Sequence, residues 1–318
     1  MSYRAKISVV TPTYGQASFI LCNIKGVLSQ KYEGDIEYII VNDNSPDDTD
    51  AIITDFIKST LIPGNITIRY IKNDKNKGAI QNFIWSISQS KGDYIAVCEG
   101  DDYWTDSQKL QKQVNFLELN KDYSICFHDV EVKYENNIVP FLIDSNKYTK
   151  ETTDLHDLLR GNFIHTPSVV FRNNNDYPDW LFNGYPGDWP LHVINATYGK
   201  LKFMPEKMAT YRVHTGGVHS TTGGQIEKSF ETFRDIIKEL ERRGLKTAVE
   251  VAKAEYKRSF ARYYGFSKSS NINFNRFKKS SLILKSGDKK LRLFFWLPLI
   301  FNNSSNEVLK IVLKKIRK

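Results

Sequence analysis

Through the first hundred residues, apolar and polar positions repeat one order: a short β-branched run, a polar loop, then apolar residues at helical spacing. Residues 6–11 form the first run, Pro12-Thr13-Tyr14-Gly15 breaks it, and a helical pattern covers 18–30. Residues 37–41 repeat the sign and stop at Asn42-Asp43-Asn44-Ser45-Pro46-Asp47-Asp48-Thr49, where Ser45 or Asp47 suits the cap of a helix reaching about residue 59. A third run, 66–71, precedes Asn73-Asp74-Lys75-Asn76-Lys77-Gly78 and a helix over 79–90, and a fourth run covers 94–98. Strands alternating with helices in this way predict an α/β fold, a Rossmann-like, mostly parallel sheet flanked by helices on both faces. All four strand-end loops then share one rim, where such sheets bind ligands.

The fourth run ends abruptly on Glu99-Gly100-Asp101-Asp102-Tyr103-Trp104, three carboxylates in four residues. Crowded carboxylates repel unless positive charge sits among them, and a hard divalent cation takes such oxygens while keeping substrate phosphates in its other positions. The plainer reading is a solvated acidic turn capping a helix from Ser107. The other rim loops offer the remaining parts of a nucleotide site: Thr13 a hydroxyl, Tyr14 a ring for a base, Asp43 an acceptor for ribose or base, Lys77 a cation for diphosphate. Each alone has an ordinary alternative, Asp43 as a turn residue, Tyr14 as an exposed aromatic and Lys77 as the closure of a helix N-terminus. Their joint placement at strand ends favours the nucleotide. Neither Gly-x-Gly-x-x-Gly after the first strand nor Gly-x-x-x-x-Gly-Lys-Ser/Thr occurs, so a dinucleotide fingerprint and a P-loop are both excluded.

Beyond the acids, Asp106 or Ser107 opens an amphipathic helix bearing Leu110, Val114, Phe116 and Leu117. Strands are expected over 124–134 and 138–143 around a hairpin at 135–137, then a short helix over 154–160 and a strand over 166–172. Residues 225–264 have helical spacing, with Gly244 as a break between two helices. The 318 residues, 41% hydrophobic and 25% charged, suit one large or two modest globular domains. Net charge is +9, yet residues 276–318 hold twelve Lys or Arg against Asp288 and Glu307, so the rest of the chain is nearly neutral. Basicity confined to one end argues against a nucleic-acid groove through the main domain. Within that end, residues 291–301 are an apolar, aromatic run flanked by Lys289, Lys290 and the basic residues of 310–318. Such a run suits either an anionic membrane surface or ordinary core, and the sequence leaves the two open. No apolar stretch reaches the roughly 20 residues of a membrane span and residues 1–10 lack a signal-peptide pattern. A cytoplasmic protein is expected, peripheral on the inner face of the plasma membrane if the basic end binds lipid. Cys22, Cys98 and Cys126 are odd in number and widely spaced, and read as reduced, buried thiols without a zinc or redox pair.

Val9-Val10-Thr11-Pro12-Thr13-Tyr14, Ile39-Ile40-Val41-Asn42-Asp43-Asn44-Ser45, Asn76-Lys77-Gly78 and Cys98-Glu99-Gly100-Asp101-Asp102-Tyr103-Trp104 stand in a characteristic order and spacing. In them the chain resembles the family 2 glycosyltransferases of GT-A fold, of the bacterial surface-polysaccharide type, closely over 6–120 and more loosely to about 220. The resemblance implies a GT-A domain over 1–222, with a nucleotide-binding half at 1–120 and an acceptor-binding half at 121–222, followed by a helical, basic region over 223–318. It implies that Pro12, Tyr14 and Asp43 contact the nucleoside of a nucleotide-sugar donor, usually a UDP-sugar, and that Asp101 holds Mn2+ or Mg2+. Glu99 stands where the family has the first, ribose-binding Asp of Asp-x-Asp; it is one methylene longer, and Asp102 becomes a second candidate for the metal. Asp188, in Asn183-Gly184-Tyr185-Pro186-Gly187-Asp188-Trp189, matches the family's general base, beside the plain reading that it caps a helix over 189–197 with Pro190 in the first turn. Tyr211-Arg212-Val213-His214 resembles a Tyr-Arg-x-His element, which gives Arg212 to the diphosphate and His214 to the metal shell, with His219 in reserve. The implied reaction is a single displacement with inversion onto a saccharide or lipid-linked saccharide acceptor, in cell-surface polysaccharide synthesis. The alternatives are a noncatalytic sugar-nucleotide-binding or assembly protein, and a nucleotidyltransferase, whose Gly-rich basic phosphate loop is missing. Sugar, linkage and oligomeric state are not written in the sequence.

Overall fold

The computed structural model describes residues 4–135, 150–217 and 226–264. Strands β1 (Ile7–Thr13), β2 (Ile36–Asn42), β3 (Ile66–Lys72) and β4 (Tyr94–Val97) alternate with helices α1 (Ile20–Leu28), α2 (Thr49–Ser59) and α3 (Ala79–Ser88). The four strands are parallel in the order β3-β2-β1-β4. Ile7, Val9, Tyr38, Ile40, Tyr94 and Ala96 join Ile20, Ile24 and Ile53 of α1 and α2 in one core. The alternate strand residues, among them Val10, Ile39, Val41, Ile95 and Val97, are also fully buried, so they face the other side of the sheet, where α3 lies against β1 and β2. Burial on both faces is why β1, β2 and β4 read as largely apolar runs, while edge strand β3 is part-exposed. Cys98 and Cys126 are buried as expected, whereas Cys22, on the outer face of α1, is exposed. Chain order runs outward in both directions from β1, so the crevice beyond the carboxyl ends of β1 and β4 is the topological switch point of the sheet.

The second half extends the same sheet. It comprises β5 (Tyr103–Trp104), α4 (Lys109–Leu119), β6 (Tyr123–Tyr134), β7 (Thr152–Thr153), α5 (Leu155–Leu159), β8 (Val170–Arg172), α6 (Asp188–Ala196) and β9 (Lys200–Val213). β8 enters antiparallel beside β4 and β6 pairs antiparallel with β8; β9 runs parallel to β6, and β5 closes on β9. Two-residue β5 carries no periodicity a sequence could show, yet it joins the chain just after the acids to the end of β9.

Several boundaries differ from the sequence expectation for local reasons. The strand expected over 166–172 begins only at Val170, because Thr166–Ser168 forms a 3-10 turn around Pro167, with the Ser168 amide donating to the His165 carbonyl at 2.9 Å. Helix α4 starts at Lys109, since the Asp106 carboxylate first closes a turn by accepting from the Gln108 amide at 2.7 Å. Asp47 accepts from the amide and hydroxyl of Thr49 at the start of α2, while Ser45 turns back to Asn42. The strand expected over 138–143, the hairpin around 136–137, His219 and the basic 276–318 segment lie outside the described residues.

The chain divides into two units, 1–252 and 253–318. Helix α7 (Ile226–Arg242) belongs to the first and is followed, across Gly244 at φ +72°, by α8 (Lys246–Tyr264). Gly244 supplies the left-handed backbone that the helix break requires. Arg243 fixes α7 to the domain, reaching the carboxylate of Asp176 and, at 3.0 Å, the Thr197 hydroxyl. In the second unit only 253–264 is described; it is helical, with Tyr256 and Phe260 stacked at 6.1 Å. No described helix is long and apolar enough to cross a membrane.

One buried residue of α6 breaks the rule that interior polar groups are paired. His192 is fully buried and neither ring nitrogen has a partner. Burial pulls its pKa down to about 4, against the opposing charge of Asp188 one turn away. The unfolded ring titrates near 6.5, so between about 6.5 and 4 the unfolded chain takes up a proton that the native state refuses. Stability therefore falls with pH through that window, by about 2 kcal/mol from pH 7 to 5 on account of this residue. His192→Leu is expected to melt above wild type, with the advantage growing on acidification to pH 5. Thermal unfolding at the two pH values checks this; an unchanged gap would mean that His192 is not the titrating group.

Candidate active site

The acid turn is held from behind by a side chain of α1. Asn23 is fully buried, and its Nδ2 donates to the carbonyls of Cys98 (3.1 Å), Glu99 (2.8 Å) and Asp102 (3.1 Å), while Oδ1 accepts from Thr11 (3.0 Å) and Tyr38 (2.7 Å). From β1, the carbonyls of Val10 and Pro12 accept from the amides of Cys98 (3.0 Å) and Gly100 (3.1 Å). Only glycine fits at 100, because a Cβ there would meet the Thr13 hydroxyl at 2.6 Å and overlap Gln16.

From the front, β9 closes the turn. Asp102 is buried; its Oδ1 accepts from the Arg212 amide at 2.8 Å, and its Oδ2 has no partner. The Arg212 guanidinium donates to the Asp101 carbonyl (2.6 Å) and Glu135 (3.2 Å), with its plane over the rings of Tyr103 (4.5 Å) and Phe19 (5.0 Å). His214 Nε2 lies 2.9 Å from Asp101 Oδ2, and its ring packs 4.8 Å from Phe19. Burial first, then the charges of Asp101 and Glu99, hold Asp102 well above the usual carboxylate range, although Arg212 opposes them. Burial, Asp101 and Asp188 push part-buried Glu99 up to about 8, against a hydrogen bond from Thr166.

Divalent metal fits these residues. The orphaned, buried Asp102 Oδ2 is a desolvated acceptor without a donor, and both carboxylates stay raised, Asp102 despite the opposing charge of Arg212. No three His, Cys, Asp or Glu side chains among the described residues already converge as a closed metal site. Both observations hold if the protein supplies one or two oxygens and a bound diphosphate completes the shell, as hard cations permit. Asp102 and Asp101 would be the ligands, with His214 Nε2 2.9 Å from Asp101 Oδ2.

On the nucleotide side, Pro12 and Thr13 are buried in β1, the Thr13 hydroxyl bonds Gln16 at 2.7 Å, and Tyr14 projects half-exposed from the rim. Asp43 is buried at the end of β2 and accepts from Asn73 Nδ2 (2.7 Å) and from the amides of Lys77 (2.9 Å) and Gly78 (3.0 Å). It thus clamps the loop before α3. The Lys77 ammonium lies 4.8 Å over the Trp85 ring. Asp43 and Lys77 are brought together, but through the lysine backbone.

Asp188 is the first residue of α6. Its carboxylate does not cap the helix, whose N-cap is Gly187; Oδ2 accepts from Asn162 Nδ2 at 2.7 Å. Its charge acts on Glu99 and, with those of Asp102, Glu99 and Asp101, on the part-buried Tyr211 hydroxyl, whose pKa is raised by burial and then by these four acids. Four carboxylates and one phenol from three separate stretches are therefore one electrostatic group. Sequence reasoning missed Asn23, Asn162 and Tyr211 as parts of it. Asn23 lay on an apolar helical face, where a lone Asn is a signal in itself; Asn162 carried none.

The sequence model of Glycosyl transferase family 2 matches residues 8–176. An uncharacterised protein of Mycobacterium tuberculosis is 36% identical over 226 residues, 71% of this chain, and the match spans 64% of that protein's length. An Escherichia coli protein named UDP-Glc:alpha-D-GlcNAc-diphosphoundecaprenol beta-1,3-glucosyltransferase WfaP is 35% identical over 115 residues, 36% of this chain and 42% of its own. Among solved structures, Staphylococcus aureus TarS 1–349 in complex with UDP-GlcNAc superposes with a TM-score of 0.63 over 90% of this chain and 82% of that one, at 16% identity. That likeness shows the fold, a GT-A fold with its mostly parallel sheet flanked by helices. With more than half its length matched by the family, the chain belongs to glycosyl transferase family 2.

Proposed function

We propose that this protein is an inverting, metal-dependent hexosyltransferase, moving a sugar from a UDP-sugar to a saccharide hydroxyl on a lipid-linked acceptor in surface-polysaccharide synthesis. The observation that carries the reading is the position of Asp188, released from helix capping, anchored by Asn162 and acting electrostatically on Glu99 beside the acid turn. The UDP-sugar and the lipid-linked acceptor are supported by the names of the E. coli relative and the S. aureus structure. The basic 276–318 segment suits an anionic membrane surface on which such an acceptor would sit.

A sugar hydroxyl is a poor nucleophile, and Asp188 would accept its proton as the oxygen bonds to the anomeric carbon. The bond from that carbon to the diphosphate oxygen breaks on the opposite face, its electron pair leaving with UDP, so configuration inverts. A divalent cation at Asp101 and Asp102 would neutralise charge on the diphosphate. Tyr14 would stack on the base, and the Asp43 clamp would shape the loop before α3 around the nucleoside. Glu99 would meet the ribose or the transferred sugar. Arg212 would hold the acid turn in place through its amide to Asp102 and its guanidinium to the Asp101 carbonyl and Glu135.

Asp188→Asn is expected to lower UDP release from UDP-glucose, UDP-galactose or UDP-N-acetylglucosamine by on the order of 10² to 10⁴, with UDP affinity kept. Full turnover in that variant would remove Asp188 from the chemistry. Binding of UDP without turnover of any donor, even with lipid-linked saccharide present, would favour the noncatalytic reading.

Calorimetric titration with UDP and with GDP, each with and without Mn2+, tests the cation. Tight binding of UDP is expected only with Mn2+, and its loss in Asp101→Ala and Asp102→Asn. Without metal, Asp102→Asn should melt above wild type, because it removes a buried carboxylate repelled by its neighbours. UDP binding indifferent to Mn2+ would count against the assignment.

A further inference from the structure

Asp188 lies beyond the residues matched by the family, 8–176, and so does the element that supports it. The segment leading into α6 is irregular: a 3-10 turn over Asp179–Asn183, then Gly184, Tyr185, Pro186 and Gly187. Nothing periodic fixes where such a segment ends. Helix α7 does so by three contacts. The hydroxyl of Thr232, itself buried, accepts from the Tyr185 amide at 2.7 Å. Its Cγ2 stands where a Cβ on Gly184 would reach it at 3.4 Å, so helix and segment are closely packed. The ring of Phe233 meets Trp189, the residue after Asp188, edge to face with centroids 5.0 Å apart. The far side of Trp189 is tied too, its indole N–H donating to the Leu158 carbonyl at 3.0 Å.

We infer that α7 is a positioning element for the general base: Thr232 sets the entry of α6 and Phe233 its rotation, so that the Asp188 carboxylate meets Asn162 and the acceptor hydroxyl. The inference rests on the reading of Asp188 as base. Thr232 and Phe233 are both buried and would act through the 184–189 segment. Mispositioning a base by about 1 Å lowers rate far more than binding. Their loss is therefore expected in kcat, with the UDP dissociation constant unmoved.

The test compares Thr232→Val, Thr232→Ser and Phe233→Leu in the full-length protein. Valine keeps the volume and removes the acceptor of the Tyr185 amide; serine restores it; Phe233→Leu removes the ring contact and leaves the hydrogen bond. Turnover is read as UDP released from whichever UDP-sugar of the panel above wild type consumes, per active site counted by UDP titration with Mn2+. Hydrogen exchange of the 184–192 amides is read on the same samples. Thr232→Val and Phe233→Leu are expected to lose about tenfold or more in kcat and to exchange faster over 184–192, with UDP affinity within about twofold of wild type and Thr232→Ser near wild type in both readouts. Either readout unchanged in both Thr232→Val and Phe233→Leu overturns the inference. An active Asp188→Asn would overturn the underlying reading instead, and wild-type exchange over 184–192 in both Thr232→Val and Phe233→Leu would still dispose of the positioning role by itself.

Discussion

The amide of Asn23 is the constraint on which the site depends. One buried side chain donates to three carbonyls of the 98–102 turn and accepts from two hydroxyls of the sheet, so the acids after β4 stand in a fixed relation to β1 and β2. A buried amide of this kind costs about 1–3 kcal/mol for each group left unpaired, and here both ends are used. The shape of the side chain matters as much as its polarity. Asp would offer no donor to the carbonyls, and Gln would carry the amide one methylene further into a turn that also abuts Thr13 and Gln16. Because α1 contributes the amide, packing of α1 against the sheet translates directly into the geometry of the acids.

That fixed turn would be a liability without a counter-charge. Asp102 is buried with one oxygen unpaired, and Glu99 shares its surroundings with Asp101 and Asp188. Arg212 opposes the rise at Asp102 without cancelling it. Arg212 donates to a backbone carbonyl and Glu135 and is flanked by Phe19 and Tyr103, while Lys77 rests on Trp85. The protein's own charges build the site but do not fill it, and the raised carboxylates keep protons that a cation would displace on binding. Arginine serves as frame here because its planar fork can bond and stack at once.

The sequence made the nucleotide half legible because two faces of helices force its strands into apolar runs of a recognisable length, and because each run ends on polar residues at a rim. Asp43, Asp101, Asp102 and His214 were all visible as residue types at strand ends. Their partners were not. Asn162 reaches Asp188 across 26 positions and Arg212 reaches Asp102 across 110, distances over which no periodicity operates. The acceptor half was blurred for the same reason: β5 is two residues long, β8 three, and the strand expected over 166–172 gives way to a 3-10 turn because Pro167 has no amide to donate.

Asp188 and Glu99 are close enough to act on one another, yet their surroundings differ. Asp188 stands in the first turn of α6, where the helix dipole favours negative charge, and it accepts a hydrogen bond from Asn162. Glu99 has no helix N-terminus of its own; it lies beside Asp101, and its pKa is pushed up to about 8. Surroundings that differ in this way can give two carboxylates different roles without a change of residue type. Under the proposed reading a base must be aimed, and the first turn of α6 supplies a backbone that fixes the side chain. Having Asp188 at the first helical position, rather than as the cap, lets the helix orient the carboxylate without consuming its lone pairs.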